Sequence, residues 1–236
     1  MKILLKSSIF FFDIIDKFIH KKNIINFFKK NKIKIKYFID VGSHKGLYTD
    51  LFLKSYNIKK VLMFEPQKKI FKFIRKKYIR NKKIKIYNFA ASNKNNFQNL
   101  QINHHDLTTT LSKFNEDNLY LKIKALLFGV KKMTHQKIRI KTIKLDDVIK
   151  KNKIYKIDLL KIDTEGHELE VLEGLRKKIK NIKFILIEFH LDKIYLNYSP
   201  KKIHNCLLKN NFILKAKFKF PFTRWEDRIY FNNNEL

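Results

Sequence analysis

The stretch from Ile157 to Leu175, IDLLKIDTEGHELEVLEGL, decides the fold. Ile157, Leu159, Leu160 and Ile162 form a short apolar run with strand character. Asp163, Thr164, Glu165, Gly166, His167 and Glu168 follow with no apolar residue among them. Leu169, Leu172, Leu175 and Ile179 then recur at helical spacing, which predicts an amphipathic helix. A strand, a polar turn and a helix in this order form one unit of an open α/β sheet. In such sheets ligands gather just outside the carboxyl ends of the strands. Asp163, Glu165 and His167 therefore make a candidate catalytic turn. Glu165 and Glu168 have a plainer reading as acids complementing the N-terminus of the helix that follows.

Upstream, Tyr37 to Gly42 (YFIDVG) reads as a strand ending in Asp40 and a glycine turn, and Leu47 to Tyr56 as a helix. The chain has five glycines, and Gly42 and Gly46 both fall in this turn, where they permit tight turning and close approach to a ligand. Val61 to Glu65 is a second strand. Glu65 comes about 20 residues past the glycine turn, the place of an acid that accepts hydrogen bonds from ribose hydroxyls. Ile70, Phe73, Ile74 and Lys77 predict a helix, and Ile84 to Ala91 a third strand. Gly42-x-x-x-Gly46 is not the G-x-G-x-x-G fingerprint, so a nicotinamide cofactor is disfavoured and a nucleoside ligand without a pyrophosphate is favoured.

Between positions 93 and 133 the pattern blurs, which predicts an insertion beside the ligand edge, where substrate contacts are natural. Phe97 to Ile102 could be a strand and Leu119 to Val130 a helix. Ile138, Ile140 and Ile143 alternate as a strand, and LDDVI opens a short helix at Leu145. Phe184 to His190 (FILIEFH) is another buried strand, bringing Glu188 and His190 to its end as candidate substrate contacts. Ser199-Pro200 starts a helix with a cap and a proline in its first turn. Phe212 to Phe220 and Arg228 to Phe231 predict an antiparallel hairpin at the sheet edge.

Composition bounds the reading. With 236 residues, 44% hydrophobic and 31% charged, the chain is long enough for one α/β domain with additions. Residues 1–33 read as an N-terminal helical extension and 34–236 as the main domain. The net charge of +32 invites nucleic acid, but only six of the 53 basic residues are Arg, the residue suited to bidentate base and phosphate recognition. The lysines are spread through the chain, and a lysine-rich solvated surface explains most of the charge. A specific nucleic-acid partner is therefore not expected. Cys206 alone permits neither an intrachain disulfide nor a cysteine metal site, and it fits a reducing, cytoplasmic compartment. His104, His105 and Asp106 are adjacent loop residues and do not amount to a metal site, so no metal is expected. Asp13 and Asp16 break the first apolar run, which excludes a signal peptide there, and the run is too short to span a membrane. The stripe Phe11, Ile14, Ile15, Phe18 and Ile19 reads as a helix packed on the domain or a second subunit. Its sharper reading is a peripheral contact with an anionic membrane.

The series FIDVGSHKGLYT, VLMFEP, AASN, TIKLDDVI, LLKIDTEGHELEVLEGL and ILIEFH resembles the FkbM family of S-adenosylmethionine-dependent methyltransferases, from about Lys36 to His190. The resemblance implies a class I (Rossmann-like) methyltransferase fold, with a seven-stranded, mostly parallel sheet and an antiparallel strand near its edge. It implies that Asp40, Gly42, Ser43 and Gly46 line the methionine and ribose side of S-adenosyl-L-methionine. Glu65 would hold the ribose hydroxyls, Ala90 and Ala91 would lie near the adenine, and Asp163 would sit beside the methyl group. Ser43 and His44 stand where the family usually has Ala and Asn. The implied activity is O-methylation of a saccharide hydroxyl, on a glycan or its precursor. RNA methylation is the enzymatic alternative, and a non-catalytic binding module on the same fold is the alternative from another class.

Overall fold

The computed structural model describes residues 19–103, 109–127, 129–130, 134–221 and 223–235. The central strands of the main sheet are short runs of Val, Ile, Leu and Phe buried on both faces, so they show continuous apolarity rather than alternation, as expected where helices cover both sides. The first half alternates strand and helix. A helix α1 (Lys21–Lys30) precedes β1 (Tyr37–Val41), α2 (Leu47–Ser55), β2 (Lys60–Phe64), α3 (Lys68–Lys77) and β3 (Ile84–Tyr87). A side unit follows, with β4 (Ala90–Ala91), β5 (Asn96–Asn103), α4 (Leu119–Leu127) and β6 (Thr134–Ile143). The chain returns to the main layer through α5 (Leu145–Lys151), β7 (Ile157–Ile162), α6 (Glu168–Glu173), β8 (Ile182–His190), α7 (Pro200–Lys209), β9 (Phe212–Lys219) and β10 (Trp225–Asn232).

The main sheet has seven strands in the order β3-β2-β1-β7-β8-β10-β9. β1, β2, β3, β7 and β8 pair in parallel, and β10 runs antiparallel to both β8 and β9. The class I methyltransferase architecture is therefore present, with its antiparallel strand one place in from the edge. One face is packed by α1 and α2 through Ile24, Ile25, Phe28 and Phe52 against Phe38, Leu159 and Phe184. The other is packed by α5, α6 and α7 through Val148, Val171, Leu172, Ile203 and Leu207 against Ile39, Leu160 and Ile185. The strand order reverses between β1 and β7, so crossovers leave toward opposite sides of the sheet there, which is where open α/β sheets bind their ligands. Among the described residues no helix is long and apolar enough to cross a membrane.

Two expectations need correction. The strand read from Ile84 to Ala91 is divided between two sheets. The Asn88 side-chain amide donates to the carbonyls of Glu65 and Pro66, both at 2.9 Å, which halts β3 and turns the chain outward. Ala90 and Ala91 then pair with Thr142 and Ile143 in the smaller sheet β4-β6-β5. The helix read through Ile179 also stops early. Gly174 lies so close to the Ser92 carbonyl that a Cβ there would fall 2.1 Å from it, and Arg176 turns the chain with φ +48°, so Arg176–Asn181 continue as a 3₁₀ helix. The apolar stripe from Phe11 to Phe18 and the loop His104, His105 and Asp106 lie outside the described residues. Ile19, the end of that stripe, is exposed.

Candidate active site

Three strand ends meet at the reversal point. The Gly42 and Ser43 N–H groups both donate to the Phe64 carbonyl, and the Asp163 N–H donates to the Val41 carbonyl. Gly42 has φ +72°, and a Cβ there would lie 1.7 Å from the Asp163 carbonyl oxygen. No other residue fits between these turns. Gly46, at φ +77°, has a comparable constraint, since a Cβ would fall 2.4 Å from the Tyr78 hydroxyl oxygen. Both glycines are thus demanded by protein contacts, and that of Gly42 brings the β1 turn directly against the β7 turn.

Glu65 caps β2 inside this junction and is almost wholly buried. The His44 N–H donates to its Oε2 at 2.9 Å and the Gln67 N–H to its Oε1 at 2.8 Å. Burial pushes its carboxyl up to about 7, against the pull of those two N–H groups. Among the described residues no cation lies within ion-pair distance of it. A buried carboxylate with one N–H on each oxygen keeps lone pairs for two further donors, which is what adjacent ribose hydroxyls supply. Ala90 and Ala91 are buried on the neighbouring segment, and the Ser43 hydroxyl is turned inward to the Phe64 carbonyl at 3.3 Å.

Beneath the turn lies a charge network with a lysine at its centre, which the sequence reading missed. Lys161 is nearly inaccessible. Its Nζ lies 3.0 Å from Asp163 Oδ2 and 3.6 Å from Asp40 Oδ1, and it donates to the Gly42 carbonyl at 3.0 Å. Burial disfavours the ammonium, but Asp163 and Asp40 outweigh it and hold Lys161 charged. Asp40 is fully buried and accepts from the Thr49 hydroxyl at 2.7 Å. Burial raises its carboxyl even so. For Asp163 burial acts in the same sense, but the Lys161 ammonium overcomes it and holds the carboxyl below its usual range. A cation between two apolar residues, Leu160 and Ile162, was the signal in the sequence.

On the far side of Asp163 stands a second cluster. Glu165 adopts φ +55°, which throws its side chain out of the helix-capping position and toward β8. There Tyr195 donates its hydroxyl to Glu165 Oε2 at 2.5 Å, and His190 Nε2 lies 3.7 Å from the same oxygen. Glu188 Oε2 is 3.1 Å from His190 Nε2. Glu168 organises the turn instead, since its Oε1 accepts from the Thr164 N–H, the Thr164 hydroxyl and the Gly166 N–H. His167 faces elsewhere: its Nε2 is hydrogen-bonded to the Ser92 hydroxyl at 2.9 Å, and its Nδ1 lies 3.6 Å from Glu170. Burial brings its imidazole down to about 4, so it is neutral. The structure thus gathers Asp163, Glu165, Glu188 and His190 at one edge and leaves His167 behind the turn.

The side unit closes this edge. The Thr110 and Ser112 hydroxyls donate to the carbonyls of Glu165 (2.5 Å) and Gly166 (2.6 Å). Beside them is a cleft of about 560 Å³ whose lining includes Gln98, Asn99, Lys113, Phe114, Asn115 and Lys137.

A methyltransferase FkbM domain model matches residues 40–214, which takes in the β1 turn, Glu65 and both acidic groups. The chain belongs to the FkbM methyltransferase family. The matched region is a methyltransferase domain. A segment of 57 residues is 37% identical to the hexuronic acid methyltransferase AglP of Haloferax volcanii, covering 24% of each chain. The methyltransferase FkbM of Methylobacillus flagellatus KT superposes with a TM-score of 0.52 at 16% identity, over 84% of this chain and 43% of that one. TrmK of M. capricolum, in complex with S-adenosyl-homocysteine, gives 0.50 at 12% identity, over 91% and 68%. The magnesium protoporphyrin IX methyltransferase ChlM of Synechocystis PCC 6803, with bound S-adenosylmethionine, gives 0.50 at 9%, over 90% and 78%. These structural likenesses establish the shared fold. The chain spans less than half of the M. flagellatus protein, and the AglP match is a quarter of that relative.

Proposed function

We propose that this FkbM domain transfers a methyl group from S-adenosylmethionine to a saccharide hydroxyl. The observation that carries the reading is the contact of Gly42 with the Asp163 carbonyl, which leaves Glu65 and the acidic edge on two sides of one turn. Asp40, Gly42, Ser43, Gly46 and Glu65, with Ala90 and Ala91 on the next segment, form the cofactor side. Bound there, the cofactor supplies an activated methyl group on a sulfonium. Glu65 accepts the ribose hydroxyls, and Asp163 stands where the methyl group is presented. Methyl transfer is an in-line displacement in which alignment is the main requirement. Glu165, Glu188 and His190 fix the incoming hydroxyl on the opposite side. His167 acts through Ser92, fixing the turn against the side unit.

The polar cleft supports a saccharide acceptor. Amide side chains pair with hydroxyls in both senses, and Phe114 gives an apolar surface for a sugar face. Lys113 and Lys137 suit a carboxylated sugar, in keeping with the hexuronic acid named for the Haloferax relative. The test is mass spectrometry of cellular glycans with and without the gene. Loss of one methyl group from a glycan supports the reading; unchanged glycans with a missing RNA methyl mark overturn it.

The Glu65 carboxyl gives the cofactor step a pH signature. Its value of about 7, against 4.5 when free, means that the folded protein favours the protonated form, and this stability is lost as pH rises through about 7. Ribose hydroxyls need the ionised form as acceptor. Cofactor affinity therefore rises between pH 6 and pH 8, by up to about tenfold per unit below the transition, and Glu65→Gln both weakens binding and flattens the profile. Calorimetry with S-adenosylmethionine across this range checks it; an unchanged slope in the variant removes Glu65 from the ribose.

A further inference from the structure

We propose that Glu165, Glu188 and His190 form a divalent-cation site that holds the acceptor hydroxyls at the methyl-transfer edge. One ligand atom from each residue lies within 4.8 Å of the other two. Metal–ligand bonds of about 2.0–2.2 Å place neighbouring ligand atoms about 3.0–3.6 Å apart. The separations of 3.1 Å (Glu188 to His190) and 3.7 Å (Glu165 to His190) already approach that spacing.

The second observation concerns the atoms themselves. Glu188 and His190 are more than nine-tenths buried, and Glu188 Oε2 and His190 Nε2 have no hydrogen-bond partner among the described residues. Both point into the cluster. Buried polar atoms in native proteins are almost always satisfied, so two such atoms side by side call for one partner that meets both. Carboxylates are also crowded here. Glu165 and Glu188 approach the same His190 nitrogen at 3.7 and 3.1 Å, with Asp163 on the same turn as Glu165. Lys161, the buried lysine nearby among the described residues, is committed to Asp163, Asp40 and the Gly42 carbonyl. A cation resolves both conditions at once.

The surroundings are those of a ligand set held in place. The Tyr195 hydroxyl donates to Glu165, and the rings of Tyr195 and Tyr198 stand edge-on to the His190 imidazole at 4.9 and 5.6 Å. Outer contacts of this kind orient metal ligands. The three residues come from the turn after β7 and the end of β8, beside Asp163, so a cation between them sits at the reaction edge. Two carboxylates and one imidazole suit Mn²⁺, Mg²⁺ or Zn²⁺ and leave coordination positions open. Adjacent hydroxyls of a sugar can fill them. This role in acceptor binding rests on the methyl-transfer reading; the cation site itself does not.

The test uses the full chain without an affinity tag, stripped with a chelator and titrated with Mn²⁺ alone, the free ion being followed by electron paramagnetic resonance. A chain of net charge +32 offers its surface poorly to stray cations, so a stoichiometric site stands out. One site per chain is expected in the wild type, weakened at least about tenfold in both Glu188→Gln and His190→Ala. Thermal melting and S-adenosylmethionine calorimetry on the same samples report whether each variant is folded. No stoichiometric site for Mn²⁺, with calorimetry for Mg²⁺ and Zn²⁺ also blank, overturns the proposal. So does a site that folded variants retain. A protein that binds the cofactor but no cation loses only the cation site; one that binds the cation but no cofactor loses the methyl-transfer reading.

Discussion

Asp163→Asn lowers methyl transfer by about 10²- to 10⁴-fold, the range spanned by a positioned proton-accepting group, while cofactor affinity stays close to that of the wild type. Asp163 is the acid that touches both halves of the site. Its main chain is clamped to Val41 and Gly42, and its side chain is about one-third exposed toward the acidic edge. The Lys161 ammonium at 3.0 Å keeps it ionised. An ionised carboxylate can accept the acceptor hydroxyl and align its oxygen with the methyl group. Asparagine keeps the shape but loses the charge and one acceptor oxygen. Glu65 and the glycine turn are untouched, so the ribose contacts survive. Single-turnover transfer of a labelled methyl group, with calorimetry for S-adenosylmethionine, separates the two effects. Unchanged turnover would place the critical acid elsewhere on the edge.

The sequence disclosed the centre of the sheet because β1, β2, β7 and β8 are apolar runs ending in polar turns, and this pattern depends on neighbours in the chain. It disclosed Glu65 and the glycine turn for the same reason, since their spacing is local. Tyr195 could not be found in this way. It meets Glu165 across 30 residues of chain through a hydroxyl, and a tyrosine beside isoleucine and leucine carries no mark of that contact. Glu165 was ambiguous between helix cap and site because the choice depends on one backbone angle, φ +55°, which no periodicity reveals. His167 looked like a member of the site by adjacency alone. It faces Ser92 because the side unit packs behind the turn, a tertiary fact. The break after Ala91 was equally hidden, since it hangs on the Asn88 amide reaching two carbonyls more than 20 residues away. Lys161 was legible and overlooked: a lysine inside an apolar run is either an edge residue or a buried ion pair, and β7 is a central strand.

That lysine gives the largest stability effect. Lys161→Met removes the cation from a site where Asp40 is fully buried, with the Thr49 hydroxyl left as its close partner among the described residues. Deleting one member of a buried pair strands the other, at a cost of about 3–5 kcal/mol. For a domain of this size that lowers the midpoint of thermal unfolding by about 6–20 °C. The cause is the stranded charge rather than lost packing, because methionine fills similar space along the strand. Asp40→Asn in the same chain therefore restores most of the loss, and the pair departs strongly from additivity in a double-mutant cycle. Methyl transfer should not return with the stability. Asp163 has still lost the ammonium that holds it ionised, and the Gly42 carbonyl has lost its donor. Calorimetric unfolding of the two single variants and the double, each paired with a turnover assay, distinguishes the outcomes. A Lys161→Met protein that melts with the wild type would show that Asp40 folds as a neutral acid, and the network would then serve the site without holding the fold.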